Sequence, residues 1–202
     1  MKTLIPFLLL PALFLASCDI IITEEGLERR LPPALDIDAK AIIEIPAGTL
    51  DKFELNKKSH EIEHEHKDGV PRVVQYLAYP ANYGYIPNTL LAKEDGGDGD
   101  PLDVLVLGAA VEREAKLDIK IIGALRLIDR GEQDDKLIAV TRGTPFWKVN
   151  SMNQLNTEFP GVSSIIDTWL TNYKGIDKME SQGFIEREAA LHILELATIS
   201  SE

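Results

Sequence analysis

Residues 95–107, DGGDGDPLDVLVL, join an acidic, glycine-rich loop to an apolar run typical of a buried β-strand. Three aspartates stand where the loop becomes the strand: Asp98, Asp100 and Asp103. The intervening glycines, Gly96, Gly97 and Gly99, allow backbone angles that side chains forbid, and Pro101 stiffens the turn. Carboxylates held close together repel one another, and a hard divalent cation such as Mg²⁺ relieves that repulsion. The stretch therefore predicts a metal site at the end of a strand.

Two other interpretations of this stretch remain open. The first is a solvated acidic turn, which is the usual fate of a run of charges. The second is a calcium-binding loop, but Pro101 interrupts the EF-hand pattern, glycine is missing from its sixth place, and no flanking helix pair is visible.

The rest of the chain predicts a mainly β, α+β fold. Gly and Pro separate short apolar or alternating runs, and so many strands without intervening helices favour a closed barrel. We expect a closed five-stranded, OB-like antiparallel β-barrel with two C-terminal α-helices packed on it. The expected strands are 41–45, 52–55, 73–77, 104–107, 119–128 and 137–141, and the expected helices are 162–173 and 186–199.

Composition limits the possible partners and cross-links. The 202 residues, 45% hydrophobic, are enough for one sizeable core and so for one domain. The chain has 33 acidic and 21 basic residues, a formal net charge of −12, which argues against nucleic acid as a partner. Cys18 is the only cysteine, so no intramolecular disulfide can form.

The N-terminal segment has the plan of a signal peptide. Residues 1–18 carry a lysine, an apolar stretch broken by two prolines, and small residues that lead into a cysteine. Its end, LASC, resembles a bacterial lipobox, which predicts lipidation of Cys18. Residues 19–38 then form a tether and 39–202 the folded domain, which we expect to be membrane-anchored and outside the cytoplasm, on the periplasmic side. An ordinary cleaved secretory signal or an apolar strand of a cytosolic protein are the alternatives.

Further charged residues lie at strand ends. Glu44 interrupts the apolar run AIIEI, and a charge in a half-buried strand is costly without a partner. Asp129 and Asp134 flank a loop that ends a strand, although solvent alone could explain both. Alternation in DKFEL places Lys52 and Glu54 on one face.

Basic residues elsewhere could hold an anion. Arg72 precedes an expected strand. Tyr173 and Lys174 close the first C-terminal helix, where a cation also meets the helix dipole favourably. Taken singly, each of these residues has an ordinary structural explanation.

Taken together, the segments resemble family I inorganic pyrophosphatases. The stretch DGDPLDVLV (98–106) matches the most specific pattern of that family, in which DGDP is followed by an apolar residue and Asp. Other matching segments follow the family order over about residues 40–178: IEIPAG (43–48), DKFEL (51–55), YPANYGYIPNT (79–89), IGALRLID with DDKLIAV (122–140) and NYKG (172–175).

The resemblance implies Mg²⁺-dependent hydrolysis of pyrophosphate to two orthophosphates by activated water, without a covalent intermediate. Several ions would share each site, and bacterial relatives form homo-oligomers, commonly hexamers. The implied metal ligands are Glu44, Asp98, Asp103, Asp129 and Asp134, with Asp103 shared between two ions.

The resemblance also implies roles for other residues. Asp100 resembles the general base, and Tyr83 lies where the family forms a hydrogen bond near the nucleophile. The groups that look like phosphate ligands are Lys52, Arg72, Tyr173 and Lys174, of which Arg72 and Lys174 would also assist catalysis. Supporting positions are Glu54, Tyr79 and Lys136.

The chain departs from the family pattern at three places. Arg72 stands seven residues before Tyr79 rather than eight, and Arg130 follows Asp129 where an acid is common. The segment HEIEHEHK (60–67) has no evident counterpart; it could be a solvated surface hairpin or a transition-metal site. A catalytically silent binding module and a hydrolase of other phosphoanhydrides remain as competing functions.

Overall fold

The structure, a computed structural model, describes residues 37–93, 97 and 99–199. This part of the chain is mainly β with a few helices, as the sequence predicts. The strands are β1 (Ala39–Ile45), β2 (Phe53–Leu55), β3 (Ile62–His64), β4 (His66–Lys67), β5 (Val70–Pro71), β6 (Asn82–Tyr85), β7 (Asp103–Leu107), β8 (Lys116–Asp129), β9 (Glu132–Gln133), β10 (Lys136–Thr141) and β11 (Met179–Glu186). The helices are a 3-10 helix at Pro145–Lys148, α1 (Met152–Glu158), α2 (Val162–Asn172) and α3 (Arg187–Ala197).

Five strands of the main sheet pair in a circuit. β1 pairs with β6, β6 with β7, β7 with β10 and β10 with β8, and β8 also pairs with β1. All of these pairs are antiparallel except β7 with β10, so the expectation of a wholly antiparallel arrangement is wrong there. Parallel neighbours begin at the same edge of a sheet. Asp103 and Lys136, the first residues of the two strands, therefore stand opposite each other.

The expected strand 73–77 does not form. Within it, Val73 makes only an isolated bridge to Asp51, and Val74 alone is buried, while Leu77 is 71% exposed. The burial of this run therefore lacks the alternation of a strand with one buried face.

Several strands were not among those expected, including β6 and β11 of the main sheet. β6 contains Gly84, where a Cβ atom would overlap the carbonyl oxygen of Ile42 in β1. Glycine thus lets these two strands approach closely, although it is unfavourable in most strands.

The central strands are buried on both faces. In β10, Leu137 and Ala139 belong to one apolar cluster, whereas Ile138 and Val140 belong to another. α1 and α2 pack on the second cluster, and α3 packs on the first. The two expected helices are confirmed with shorter bounds, and α1 is an additional helix.

Asp38, near the start of the described residues, is held in place by an ion pair with Arg187. Both carboxylate oxygens of Asp38 accept hydrogen bonds from the guanidinium of Arg187 at the start of α3, at 2.6 and 2.8 Å. The expected signal peptide, Cys18, nearly all of the tether, and Asp98 lie outside the described residues. No helix among the residues described is long and apolar enough to cross a membrane.

Candidate active site

One cavity of about 420 Å³ gathers most of the predicted site residues. The lining comes from β2 and the residue before it, from β6 and β9, from the ends of β1, β7, β8 and β10, and from the residues after α2. The segments that carry Lys57, Glu65, Arg72 and Asp100 complete it. The predicted residues in its wall are Glu44, Lys52, Glu54, Arg72, Tyr83, Asp100, Asp103, Asp129, Asp134, Lys136, Tyr173 and Lys174. Arg72 is among them despite its one-residue offset from the family pattern.

A buried lysine lies between two of the aspartates. The ammonium of Lys136 pairs with Asp103 and with Asp134, and Tyr83 donates a hydrogen bond to Asp103 Oδ2 at 2.6 Å. Burial alone would lower the pKa of Lys136, but the two carboxylates raise it above its usual value, so the ammonium persists. Burial, reinforced by the charge of Asp103, raises the pKa of Tyr83. Tyr83 therefore remains a neutral donor.

Glu44 is the most strongly perturbed carboxyl group in the wall. It is 5% exposed, and burial, followed by the charge of Asp103, raises its pKa to about 8. Its Oε1 accepts a hydrogen bond from the backbone N–H of Leu55 at 2.7 Å. Within the described residues this amide, rather than a salt bridge, is the partner that offsets the burial of the carboxyl group.

Two cations and two carboxylates form a second group in the wall. Lys52 Nζ lies 3.1 Å from Glu54 Oε2 and 3.5 Å from Glu65 Oε2, and Arg72 donates to Glu65 at 2.7 Å. Burial lowers the pKa of Lys52, but the charges of Glu54, Tyr173 and Glu65 outweigh that effect and raise it. Lys52 therefore stays positively charged although its side chain is only 14% exposed.

A third ion pair lies where β8 ends. Lys174 donates to Asp129 Oδ2 at 2.6 Å. Within the described residues the other oxygen, Asp129 Oδ1, is buried without a hydrogen bond, and Arg130 Nε lies 4.0 Å from it. The Arg130 side chain is 77% exposed, so it screens Asp129 only weakly.

Aromatic rings support this end of the cavity. Tyr173 stacks on Trp169 with ring centroids 4.4 Å apart, and Tyr79 lies 4.4 Å from Trp169 and 5.5 Å from Tyr83. Tyr79 is 2% exposed and lies in the core behind the cavity rather than in its wall. Trp169 Nε1 donates to the carbonyl of Leu77 at 2.8 Å, which ties α2 to the chain before β6.

The acidic loop brings Asp100 to the mouth of the cavity. Asp100 is 44% exposed and pairs with Lys57, whose ammonium also donates to the carbonyl of Gly99 at 3.2 Å. Gly99 has a φ of 81°, as expected for a glycine that turns the loop toward the strand.

The donor set fits a hard divalent cation. Glu44, Asp103, Asp129 and Asp134 present carboxyl oxygens to one cavity, and among the residues described one buried oxygen of Asp129 accepts no hydrogen bond. Oxygen donors of this kind are those that Mg²⁺ prefers. Within the described residues no three of the acidic or imidazole groups converge on a single point, because the ammonium groups of Lys136 and Lys174 lie among them.

Several residues in the wall carry no predicted role. They are Leu55, Lys57, Glu65, Tyr85, Pro101 and Glu132. Segment 60–67 does not form a hairpin by itself: its β3 pairs with β2, its β4 pairs with β5, and Glu65 between them lines the cavity. The Asp68–Gly69 dipeptide, a favoured hairpin turn, is the sequence signal that could have placed this segment. The histidine rings make local contacts instead, since His64 stacks on Phe53 at 4.5 Å.

The fold is mainly β and gathers carboxylates, ammonium groups and a guanidinium around one small polar cavity. These features are those of a class of proteins that handle phosphate with the help of metal ions. The family model described as inorganic pyrophosphatase matches residues 41–200. The chain therefore belongs to the inorganic pyrophosphatase family.

Individual relatives agree with this assignment. An inorganic pyrophosphatase of Campylobacter jejuni is 34% identical over 78% of this chain and 88% of its own length, and one from Halalkalibacterium halodurans is 43% identical over 57% and 66%. Other curated relatives are longer, and the chain spans 35% to 51% of their length. The solved N-terminally truncated vacuolar soluble pyrophosphatase of Trypanosoma cruzi, in complex with PPi, superposes with a TM-score of 0.77 at 26% identity, over 85% of this chain and 72% of that one.

Proposed function

We propose that this protein hydrolyses inorganic pyrophosphate to two orthophosphates, with Mg²⁺ as cofactor and without a covalent enzyme intermediate. The observation that carries the proposal is the single cavity in which four carboxylates of the β-strand ends adjoin Lys52, Arg72 and Lys174. Family membership supports it, and so does the T. cruzi relative that is solved with PPi. A cavity of about 420 Å³ suits a small, densely charged anion.

The carboxylates would hold several metal ions. We assign Asp98, Asp103 and Asp134 to the activating ions, and Asp129 with Glu44 to the ions that arrive with substrate. Bound Mg²⁺ supplies charge neutralisation of the phosphates and a lowered pKa of water. Tyr83 and Lys136 both donate to Oδ2 of Asp103, which orients this carboxylate in the cavity wall.

The remaining polar residues act on substrate directly. Lys52, Arg72, Tyr173 and Lys174 bind the phosphate oxygens, and the charges of the two lysines and the arginine stabilise the departing phosphate. Asp100, exposed at the mouth, accepts the proton of the attacking water.

Supporting residues and the fold keep these groups in place. Glu54 pairs with Lys52, Lys136 pairs with Asp103 and Asp134, and Tyr79 backs Tyr83 through ring contact. We also propose that the five strands of the pairing circuit form a closed, OB-like barrel, because each of them pairs with two others.

A phosphate-release assay with and without Mg²⁺ tests the function. We expect wild-type protein to release phosphate from pyrophosphate only with the metal. Asp100→Asn should lower kcat about 100-fold or more, the usual contribution of a general base, while the melting temperature stays nearly unchanged because this carboxylate is 44% exposed. Asp118→Asn is the matched control, since Asp118 is also exposed and pairs with Lys40 outside the cavity. Wild-type turnover in Asp100→Asn would exclude the assigned role.

We further propose lipidation of Cys18 and attachment of the domain to a membrane on its outer, periplasmic side. The support is the sequence of residues 1–18, and these residues lie outside both the described structure and the family match. Lipid chains on this cysteine would hold the protein at a membrane. Cys18→Ala should move the protein from the detergent phase to the aqueous phase; partition unchanged by the substitution would refute the anchor.

A homo-oligomer, by resemblance a hexamer, is proposed as the working assembly. Several large apolar side chains are exposed in the single chain: Leu77 (71%), Ile165 (59%), Ile176 (82%) and Leu196 (73%). Light scattering on purified protein would give the mass directly, and a monomer at micromolar concentration would contradict the proposal.

A further inference from the structure

The backbones of three residues in the cavity wall are joined in a ring. Lys52 N–H donates to the carbonyl of Arg72 at 3.0 Å, Arg72 N–H to the carbonyl of Glu65 at 2.7 Å, and Glu65 N–H to the carbonyl of Lys52 at 2.9 Å. Each member thus donates to one of the others and accepts from the other. The backbone positions from which the three side chains extend are therefore fixed relative to one another.

The side chain of Glu65 completes this arrangement. Arg72 Nη1 donates to both carboxylate oxygens of Glu65 at 2.7 Å, and Lys52 Nζ lies 3.5 Å from Oε2. The Glu65 side chain is 22% exposed, compared with 14% for Lys52 and 31% for Arg72. Burial raises the pKa of Glu65, but the hydrogen bonds and charges of Arg72 and Lys52 together have the larger, opposite effect. The net pKa lies below its usual value, so the group is ionised at neutral pH.

The segment that carries Glu65 is anchored to the strand beside Lys52. β3 pairs with β2, and the His64 ring stacks on Phe53 at 4.5 Å, with the guanidinium of Arg113 3.2 Å from the centroid of the Phe53 ring. His64 Nε2 also contacts the carbonyl of Arg72 at 3.0 Å. The backbone at Glu65 therefore cannot move away from Lys52 and Arg72 without disturbing β2.

We propose that Glu65 is a positioning residue that holds Lys52 and Arg72 in the orientation in which they bind the phosphates of the substrate. The proposal rests on the proposed function, which assigns phosphate binding to those two cations. Long cationic side chains lose rotamer freedom on binding an anion, and a carboxylate that orders them beforehand removes part of that cost. Segment 60–67 then acts on the site through Glu65, rather than through its histidines.

The experiment compares four variants with wild type: Glu65→Ala, Arg72→Ala, the double variant, and Glu63→Ala. Glu63 is the matched control, because it lies two residues earlier on β3, is exposed, and accepts hydrogen bonds from Asn56 and Ser59 of the adjoining turn rather than from the two cations. KM and kcat for pyrophosphate are measured with Mg²⁺, and calorimetry measures the affinity for inorganic phosphate at the same Mg²⁺ concentration.

Glu65→Ala should raise KM about tenfold and weaken phosphate binding by a similar factor, the loss expected for a charge-assisted contact, with kcat within about threefold of wild type. Glu63→Ala should match wild type. In the Arg72→Ala background most of the effect of Glu65→Ala should disappear, because neighbours that act through one another are not additive. If Glu65→Ala fails to fold, Glu65→Gln, which keeps an acceptor oxygen but loses the charge, should show a smaller rise in KM.

Other outcomes separate the two proposals. Additive effects of Glu65 and Arg72, or a KM that is unchanged or lowered in Glu65→Ala, overturn the positioning role while hydrolysis by wild type upholds the function. If wild type does not hydrolyse pyrophosphate, the function fails, and the phosphate affinities of wild type and Glu65→Ala alone decide the positioning role. If wild type neither hydrolyses pyrophosphate nor binds phosphate, both proposals are overturned.

Discussion

Lys136→Met replaces the ammonium between Asp103 and Asp134 with an apolar group of similar length. The Lys136 side chain is 3% exposed, and those of Asp103 and Asp134 are 23% and 10% exposed. Two carboxylates would then face each other in the wall without the cation that separates them. The substitution therefore leaves uncompensated buried charge, which is costlier than the loss of a surface ion pair.

The expected loss of stability follows from this burial. Removing one partner of a buried ion pair costs about 3–5 kcal/mol, and the partial exposure of Asp103 places this site at about 3 kcal/mol. For a domain of this size each kcal/mol corresponds to about 2–4 °C in melting temperature, so we expect a fall of roughly 6–12 °C. Added Mg²⁺ should narrow the difference, because a cation bound by the same carboxylates screens their repulsion.

Thermal unfolding of wild type, Lys136→Met and Lys40→Met, with and without Mg²⁺, measures this effect. Lys40 is the control: it forms an ion pair with Asp118, but the two side chains are 69% and 53% exposed, and such pairs contribute at most about 1 kcal/mol. A melting temperature of Lys136→Met within about 2 °C of wild type would show that the ammonium does not neutralise the cluster.

Three further predictions concern packing and pH. Gly84→Ala should lower stability by about 1–3 kcal/mol in urea unfolding, because the added Cβ overlaps the carbonyl oxygen of Ile42; an unchanged urea midpoint would contradict the close approach of β1 and β6. Trp169→Phe loses the hydrogen bond to the carbonyl of Leu77 and should lower stability by about 1–3 kcal/mol, and no change on calorimetric unfolding would argue against that contact. The pKa of Glu44 is raised to about 8 from about 4.3 when unfolded, so the folded state binds more protons between these values and stability falls as pH rises through this window. Glu44→Gln should remove this pH dependence of stability. Urea midpoints measured against pH without divalent metal test it, and curves that run parallel for the two proteins would contradict the raised pKa of Glu44.

Much of the candidate site could be predicted because its residues lie in short segments with a local pattern. In DKFEL, alternation alone places Lys52 and Glu54 on one face, and both line the cavity. The glycines and Pro101 of the acidic loop likewise predict a turn into β7, and Gly99 has the expected positive φ. Such patterns depend on residues within a few positions of one another.

Other contacts could not be predicted from local pattern. Lys57 pairs with Asp100, 43 positions away in the sequence, and donates to the carbonyl of Gly99, 42 positions away. The run 73–77 is largely apolar, as a strand would be, yet among the described residues it pairs only through one bridge, from Val73 to Asp51. Glu65 and Arg72 are only seven positions apart, but they meet because the β4–β5 hairpin closes between them, and the Asp68–Gly69 turn is the local signal for it.

The sequence by itself determined the chemistry available to this protein: carboxylates, ammonium groups and a guanidinium at the ends of apolar segments, and the family to which they belong. Only the tertiary structure decided which acidic residue pairs with which basic residue. Asp103 meets Lys136, 33 residues away, because β7 and β10 run parallel and begin at the same edge of the sheet. Side-chain types and periodicity follow from covalent neighbours, whereas ion pairs depend on strand register, which is set by the packing of the whole core.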